Sequence, residues 1–243
     1  MICKRPSPVI VLAAVGSIVA CSSQAASQDP NRLSQDEVDQ GWELLFDGES
    51  LDQWRGFSRE DLPDAWRATD GVLHFDPQST DGGDIVTLQQ FENFELVLEW
   101  RILASGNSGI FFGVTEDARQ TYHTGPEMQI LDNAGHVDGR NPLTSAGSNY
   151  ALHAPSSDMT RPVGEWNQAQ IMVDGTHVEH WLNGVKVVEY DRWTDEWTQL
   201  VAGSKFVEWP RYGLNVRGHI ALQDHGDPIW FRSVKIRRLP QSP

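Results

Sequence analysis

The chain has almost no cysteine. Cys3 and Cys21 are the only two in 243 residues, so nothing after residue 21 can form a disulfide, a thiolate nucleophile or a zinc–thiolate site. Basic residues are also scarce. Lys and Arg number 19 against 34 Asp and Glu, and a formal charge of −15 repels phosphate backbones, which argues against nucleic acid as a partner. Long helical periodicity is missing, as are a glycine-rich phosphate loop, a His-Glu-x-x-His motif and a Gly-x-Ser-x-Gly elbow. The many Asp residues could assemble a calcium site, but no run has loop-ligand spacing. The sequence calls for no cofactor, and it leaves metal use and oligomeric state open.

The apolar run from Val9 to Ala20 is only 12 residues long, too short for a permanent membrane span. It follows Lys4 and Arg5 and ends at Ile18-Val19-Ala20-Cys21, the layout of a bacterial lipoprotein signal with Cys21 as the lipidated residue. Residues 1–20 are therefore expected to be a cleaved signal peptide. Loss of Lys4 and Arg5 with it would move the charge from −15 to −17. The expected location is the bacterial cell envelope, with a lipid anchor to the membrane. Ser22 after Cys21 favours the outer membrane, facing the periplasm or the cell surface. Residues 21–40 read as a flexible polar tether with at most one short helix, around Ser34 to Gln40.

The remainder, 41–239, is punctuated like an all-β domain. Asp70-Gly71, Gly82-Gly83, Asp174-Gly175, Asn183-Gly184 and His225-Gly226 fall between short apolar or alternating runs. Strands are predicted at Val72–Phe75, Ile85–Leu88, Phe94–Leu103, Gly109–Val114, Glu127–Leu131, Gln168–Val173, His177–Leu182, Val185–Tyr190, Gly218–Gln223 and Ile229–Arg237. One short helix is expected over Thr194–Ala202, capped by Thr194. Ten or more strands without a repeat period imply two packed antiparallel sheets, a jelly-roll β-sandwich. Ten Trp fit its core, although an exposed indole also stacks on sugar rings.

The candidate site is organised around Gly125-Pro126-Glu127-Met128-Gln129-Ile130-Leu131-Asp132-Asn133. With period 2, Met128 and Ile130 face the core while Glu127 and Gln129 face a surface that could bind hydroxyl or carbonyl groups. Asn107 and Ser108, beside Gly106 and Gly109, supply adaptable hydrogen bonds. Gln223 and His225 point away from Ile220 and Leu222. Arg232 sits inside an apolar strand, where a guanidinium needs a partner, and Glu127 is the carboxylate expected to pair with it. His180 and Trp181 offer an imidazole and a stacking ring. Asp132 joins this set at the strand end.

Taken in order, "GWELLFDGESLDQW", "NSGIFFGV", "GPEMQILDN", "WLNG" and "IALQDHGDPIWFRSVKIRRL" resemble the 3-keto-disaccharide hydrolase domain family over most of Gly41 to Leu239. The resemblance implies a lectin- and laminarinase-like (concanavalin A-like) sandwich and a glycoside-processing enzyme. Laminarinase-like enzymes carry Glu-x-Asp-x-Glu on one strand, whereas this strand reads Glu127-Met128-Gln129-Ile130-Leu131, without the second and third acids. Ordinary two-carboxylate hydrolysis is thus not expected from this strand. A 3-keto sugar needs less: its ketone acidifies the C2 proton, and the glycosidic oxygen lies β to it. Glu127 is expected to act as base or acid with His225 as partner. Asn107, Gln129, Asp132, Gln223, Arg232, His180 and Trp181 would bind the substrate. A non-catalytic carbohydrate-binding module is the main alternative on the same scaffold, and a purely structural lipoprotein is a third.

Overall fold

Alternating burial along short strands builds two antiparallel sheets packed face to face. The computed structural model describes residues 1–2 and 30–240. Cys21, most of the expected signal peptide and residues 22–29 of the tether lie outside the described residues. In chain order the strands are β1 (Trp42–Leu44), β2 (Trp54–Gly56), β3 (Trp66–Thr69), β4 (Val72–Phe75), β5 (Ile85–Thr87), β6 (Phe94–Ile102), β7 (Asn107–Val114), β8 (Glu127–Leu131), β9 (Asn167–Asp174), β10 (His177–Leu182), β11 (Val185–Asp191), β12 (His219–Leu222) and β13 (Ile229–Arg238). Two short α-helices, α1 (Gln35–Asp39) and α2 (Asp195–Ala202), complete the regular elements with a few single 3₁₀ turns.

One sheet has eight strands in the order β11-β10-β9-β6-β13-β4-β3, with β1 also on β13; the other has five, β2-β5-β12-β7-β8. The predicted strands are all present, with ends shifted by no more than two residues. Strands β1, β2 and β3 were not among those predicted; three or four residues carry little alternation. Both predicted helices form. Thr194 accepts from the Trp197 amide, and Ser34 closes a capping box with Glu37. Asn183 and Gly184 both take positive φ (51° and 81°), the backbone that a two-residue hairpin between β10 and β11 demands.

The ordered fold starts ahead of Gly41. Asn31 accepts from the Ser233 amide at 2.8 Å, and Glu37 of α1 pairs with Lys235 of β13. The end of the expected tether is therefore docked on the eight-stranded sheet. Between the sheets lie Leu96, Leu98 and Trp100 of β6, Phe231 of β13, Ile110 and Phe112 of β7, and Met128 and Ile130 of β8. On the opposite side of the five-stranded sheet, Val86, Phe111, Val114 and Ala221 form a second small cluster, with Phe57 and Tyr122 packed on it. That face carries the cleft described next.

Candidate active site

Strand β8 pairs with β7 so that Glu127 lies opposite Phe111 and Gln129 opposite Gly109. Glu127 and Gln129 thus share the outward face of the sheet, as the period-2 pattern requires. They are not half-exposed, however: Glu127 is 6% and Gln129 1% exposed. The chain after β8 folds back along its free edge. Gly147 and Tyr150 donate to the Gln129 and Glu127 carbonyls at 2.8 and 3.0 Å, and Gln129 donates to the Ser148 carbonyl at 3.1 Å. This return segment brings Asp138 and Tyr150 over the face. The 3₁₀ turn after α2, Lys205–Glu208, adds Lys205.

Together these residues bound a cleft of about 300 Å³, with Asp84, Asn107, Gln129, Gln223 and His225 on its walls beside Glu127. Gly109 makes room for the Glu127 carboxylate, because a Cβ there would collide with it. The Gln129 amide lies 3.0 Å from both the Ser108 carbonyl and Glu127 Oε1, two acceptors that assign its nitrogen to this side, where it donates to both. Asn107 Nδ2 lies 3.4 Å from His225 Nε2, and its backbone amide donates to Asp227 at 3.1 Å. The side-chain oxygens of Asn107 and Gln223 are buried without a donor from the protein. Two vacant acceptors on a cleft wall suit the hydroxyl donors of a sugar.

The carboxyls of the cleft are short of cations. Burial pushes Glu127 up to about 8, with nearby Lys205 pulling the other way and Asp84 and Asp138 adding to the rise. Burial likewise raises Asp84 to about 6, against hydrogen bonds from Thr121 and from the Asp224 amide at 2.9 Å. Near neutral pH Glu127 therefore holds its proton and Asp84 is mostly ionised. Although Lys205 as a whole is exposed, its ammonium lies 4.3 Å over the Tyr150 ring, and desolvation there lowers its pKa. Tyr150 is pushed up to about 12 by burial, Asp138 and Glu127, so its hydroxyl stays a donor.

Of the residues singled out in sequence, Asn107, Glu127, Gln129, Gln223 and His225 meet in this cleft. The other four do not. Arg232 pairs with Glu99 at 2.7 Å on the outer face of the eight-stranded sheet and lies 4.3 Å over Trp166, so the expected pair with Glu127 is not formed. Strand alternation set Arg232 outward, and its cross-strand neighbour on β6 supplies the acid. Trp181 is on the same outer face, donating to Glu179 at 2.8 Å. His180 is fully buried, donates from Nδ1 to the Gly147 carbonyl at 3.1 Å, and is held neutral by burial at about 4. Asp132 accepts the Ser105 and Ala134 amides at 2.8 and 3.1 Å and lines a separate cavity with Trp100 and Asn133.

Asp84, Asp138, Tyr150 and Lys205 were missed. Asp84 follows a Gly82-Gly83 turn signal that could have drawn attention to it. The other three stand in irregular segments whose place over the sheet no local pattern announces. For a metal, the described His and acid groups that converge are His177, Glu179 and Glu189, with ligand atoms within 4.8 Å of one another. They lie away from the cleft, and Lys186 already binds both acids, at 2.9 and 2.5 Å.

Comparison with known proteins gives a consistent picture. The model of the 3-keto-alpha-glucoside-1,2-lyase-like domain matches residues 41–237. A 3-keto-disaccharide hydrolase of Bacteroides thetaiotaomicron is 35% identical over 247 residues, covering 90% of this chain and 84% of that protein. A Parabacteroides distasonis crystal structure described as a candidate glycosyl hydrolase superposes with a TM-score of 0.81 at 32% identity, covering 87% of this chain and 100% of that one. A Bacillus subtilis protein with a galectin-like fold reaches a TM-score of 0.50 at 15% identity, covering 88% and 97%, and shows the fold alone.

Proposed function

Because the chain belongs to the 3-keto-alpha-glucoside-1,2-lyase-like domain family, and is with it a hydrolase acting on glycosidic bonds, we propose that it cleaves 3-keto-glycosides by elimination followed by hydration. The observation that carries this reading is that two carboxyls, Glu127 and Asp84, line one cleft with Lys205 and Tyr150. Burial raises both, Glu127 further than Asp84, which separates an acid from a base. Elimination across C1 and C2 is a lyase step, and addition of water to its product is a net hydrolysis. One site thus accounts for both the family's description and the relative's name.

In this mechanism the Asp84 carboxylate takes the proton from C2 of the keto sugar. The C–H electron pair moves into the C2–C3 bond, and charge develops on the C3 oxygen, which the Lys205 ammonium and the Tyr150 hydroxyl stabilise. The enolate then collapses: the C1–O bond breaks, and the leaving oxygen takes the proton of Glu127. Ionised Glu127 then takes a proton from the water that attacks C1, and Asp84 returns its proton to C2, giving the free keto sugar and restoring both carboxyls. Asn107, Gln129, Gln223 and His225 hold the ring through its hydroxyls.

The test is to incubate the protein with a 3-keto-disaccharide, its unoxidised parent, and the keto substrate deuterated at C2. Cleavage of the keto sugar alone, slowed by deuterium, is the expected result. Cleavage of the parent would sink the reading in favour of ordinary hydrolysis. Binding without turnover would favour a carbohydrate-binding module.

A lipid on Cys21, with anchoring in the outer membrane, completes the proposal. Its support is the signal-like run before Cys21 and the polar stretch after it. Among the described residues no helix is long and apolar enough to cross a membrane. The variant Cys21→Ser should leave the membrane fraction; persistence there would refute the anchor.

A further inference from the structure

The cleft is small for a whole glycoside, at the low end of the roughly 300–1,000 Å³ usual for small-molecule sites. It does not end at Tyr150 and Lys205. Both residues also line a second, more open groove of about 540 Å³ between the Asn141–Thr144 turn and the end of α2. The character changes across this pair. On the Glu127 side the walls are acids, amides and His225; beyond it they include Leu143, Ala151, Leu152 and Leu200. Leu143 is 38% exposed. The cavity beside Asp132 and Trp100, by contrast, shares no lining residue with the cleft.

We propose that this groove is the leaving-group subsite and that it selects 3-keto-glycosides with an apolar aglycone over those whose leaving group is a second sugar. The inference rests on the reading of the cleft as the site of keto-sugar cleavage. With the ring held by Asn107, Gln129 and Gln223, the C1 substituent crosses over the contacting Tyr150–Lys205 pair, which lines both spaces, onto the leucines. Hydroxyl groups of a second sugar would lose water against a wall whose exposed surface is mostly apolar, although Asn141, Thr144, Gln199 and Ser204 also line it. An alkyl or aryl group would gain from the same burial.

The experiment compares kcat/KM for methyl, butyl and octyl 3-keto-glucosides, in both anomeric series, with that for a 3-keto-disaccharide. Alkyl alcohols are leaving groups of nearly equal basicity, so chain length reports binding in the groove. The expected result is a rise of at least tenfold from methyl to octyl, with the disaccharide below octyl. The octyl-to-methyl ratio should fall several-fold in Leu200→Ser and in Leu143→Ser, the latter an exposed position where folding is not at stake. A flat series in the wild type, or a gradient untouched by both variants, would overturn the subsite while leaving keto-sugar cleavage standing. No cleavage of any keto-glycoside would overturn both.

Discussion

The cleft and the outer face of the eight-stranded sheet treat acidic residues in opposite ways. On the eight-stranded sheet outward acids meet cations: Glu99 with Arg232, Glu95 with Arg237 and Glu179 with Lys186, while Glu37 of α1 reaches Lys235 of β13. Indoles reinforce the pattern, with Arg101 4.8 Å over Trp166 and 4.9 Å over Trp230. In the cleft on the five-stranded sheet, Glu127 and Asp84 are covered by other segments of the chain and hydrogen-bonded by Gln129, Thr121 and a backbone amide rather than by a cation. Desolvation therefore wins in the cleft, where Glu127 and Asp84 are raised, whereas hydrogen bonds from Lys186 and Trp181 hold Glu179 below its ordinary value against burial. Paired acids hold a fold together. Unpaired ones can move protons.

The largest test of this contrast is Glu127→Gln, which removes the proton donor while keeping the shape. Turnover of a keto-glycoside at pH 7 should fall by about 10²–10⁴. The wild-type pH–rate profile should be a bell, losing activity below about 6 as Asp84 takes a proton and above about 8 as Glu127 gives one up. Asp84→Asn should abolish the acidic limb along with most of the rate. A profile with no limb near 8 would remove Glu127 from the role of acid.

Next comes Gly109→Ala. Its new methyl would occupy the space of the Glu127 carboxylate and displace it, with an expected loss of about 10² in kcat. Retained activity would mean that the carboxylate position is not critical.

A third test reads stability instead of rate. The folded pKa of Glu127 lies above its ordinary value, so its contribution is fully present below about 4.5 and is lost as pH rises to about 8. Glu127→Gln should therefore gain stability over the wild type between pH 4.5 and 8, by a few kcal/mol at roughly 1.4 kcal/mol per pK unit. Thermal melts of both proteins across that range check the sign. A gap that shrinks with pH would contradict it.

The smallest effect belongs to the paired face. Arg232 and Glu99 are 27% and 23% exposed, and solvent screens such a pair, so Arg232→Ala should cost about 1 kcal/mol or less in a denaturant titration. It should leave turnover within twofold. A large loss of turnover would restore Arg232 to the site.

Much of the fold was legible because strands announce themselves locally. Glu127–Leu131 and His177–Leu182 could be bounded to the residue by alternation and turn chemistry, and Thr194 marked its helix by capping. Half of the site was legible for the same reason: Glu127, Gln129, Asn107 and Gln223 stand at outward positions on predicted strands or at their ends. Arg232 shows the limit of that logic, since alternation says that a side chain points outward without saying from which sheet.

By itself, then, the sequence determined the strands, their inward and outward faces, the two-sheet sandwich and the cysteine-free chemistry. These depend on period-2 burial and on residues with restricted backbones, which act over a few positions. Only the tertiary structure decided which outward acids go unpaired, because that depends on where irregular segments land. Residues 132–150 and the turn at Lys205 cover β8 through contacts between positions far apart in sequence, and burial by those contacts raises Glu127. A carboxyl's surroundings are a property of space, and the chain that supplies them carries no local mark of doing so.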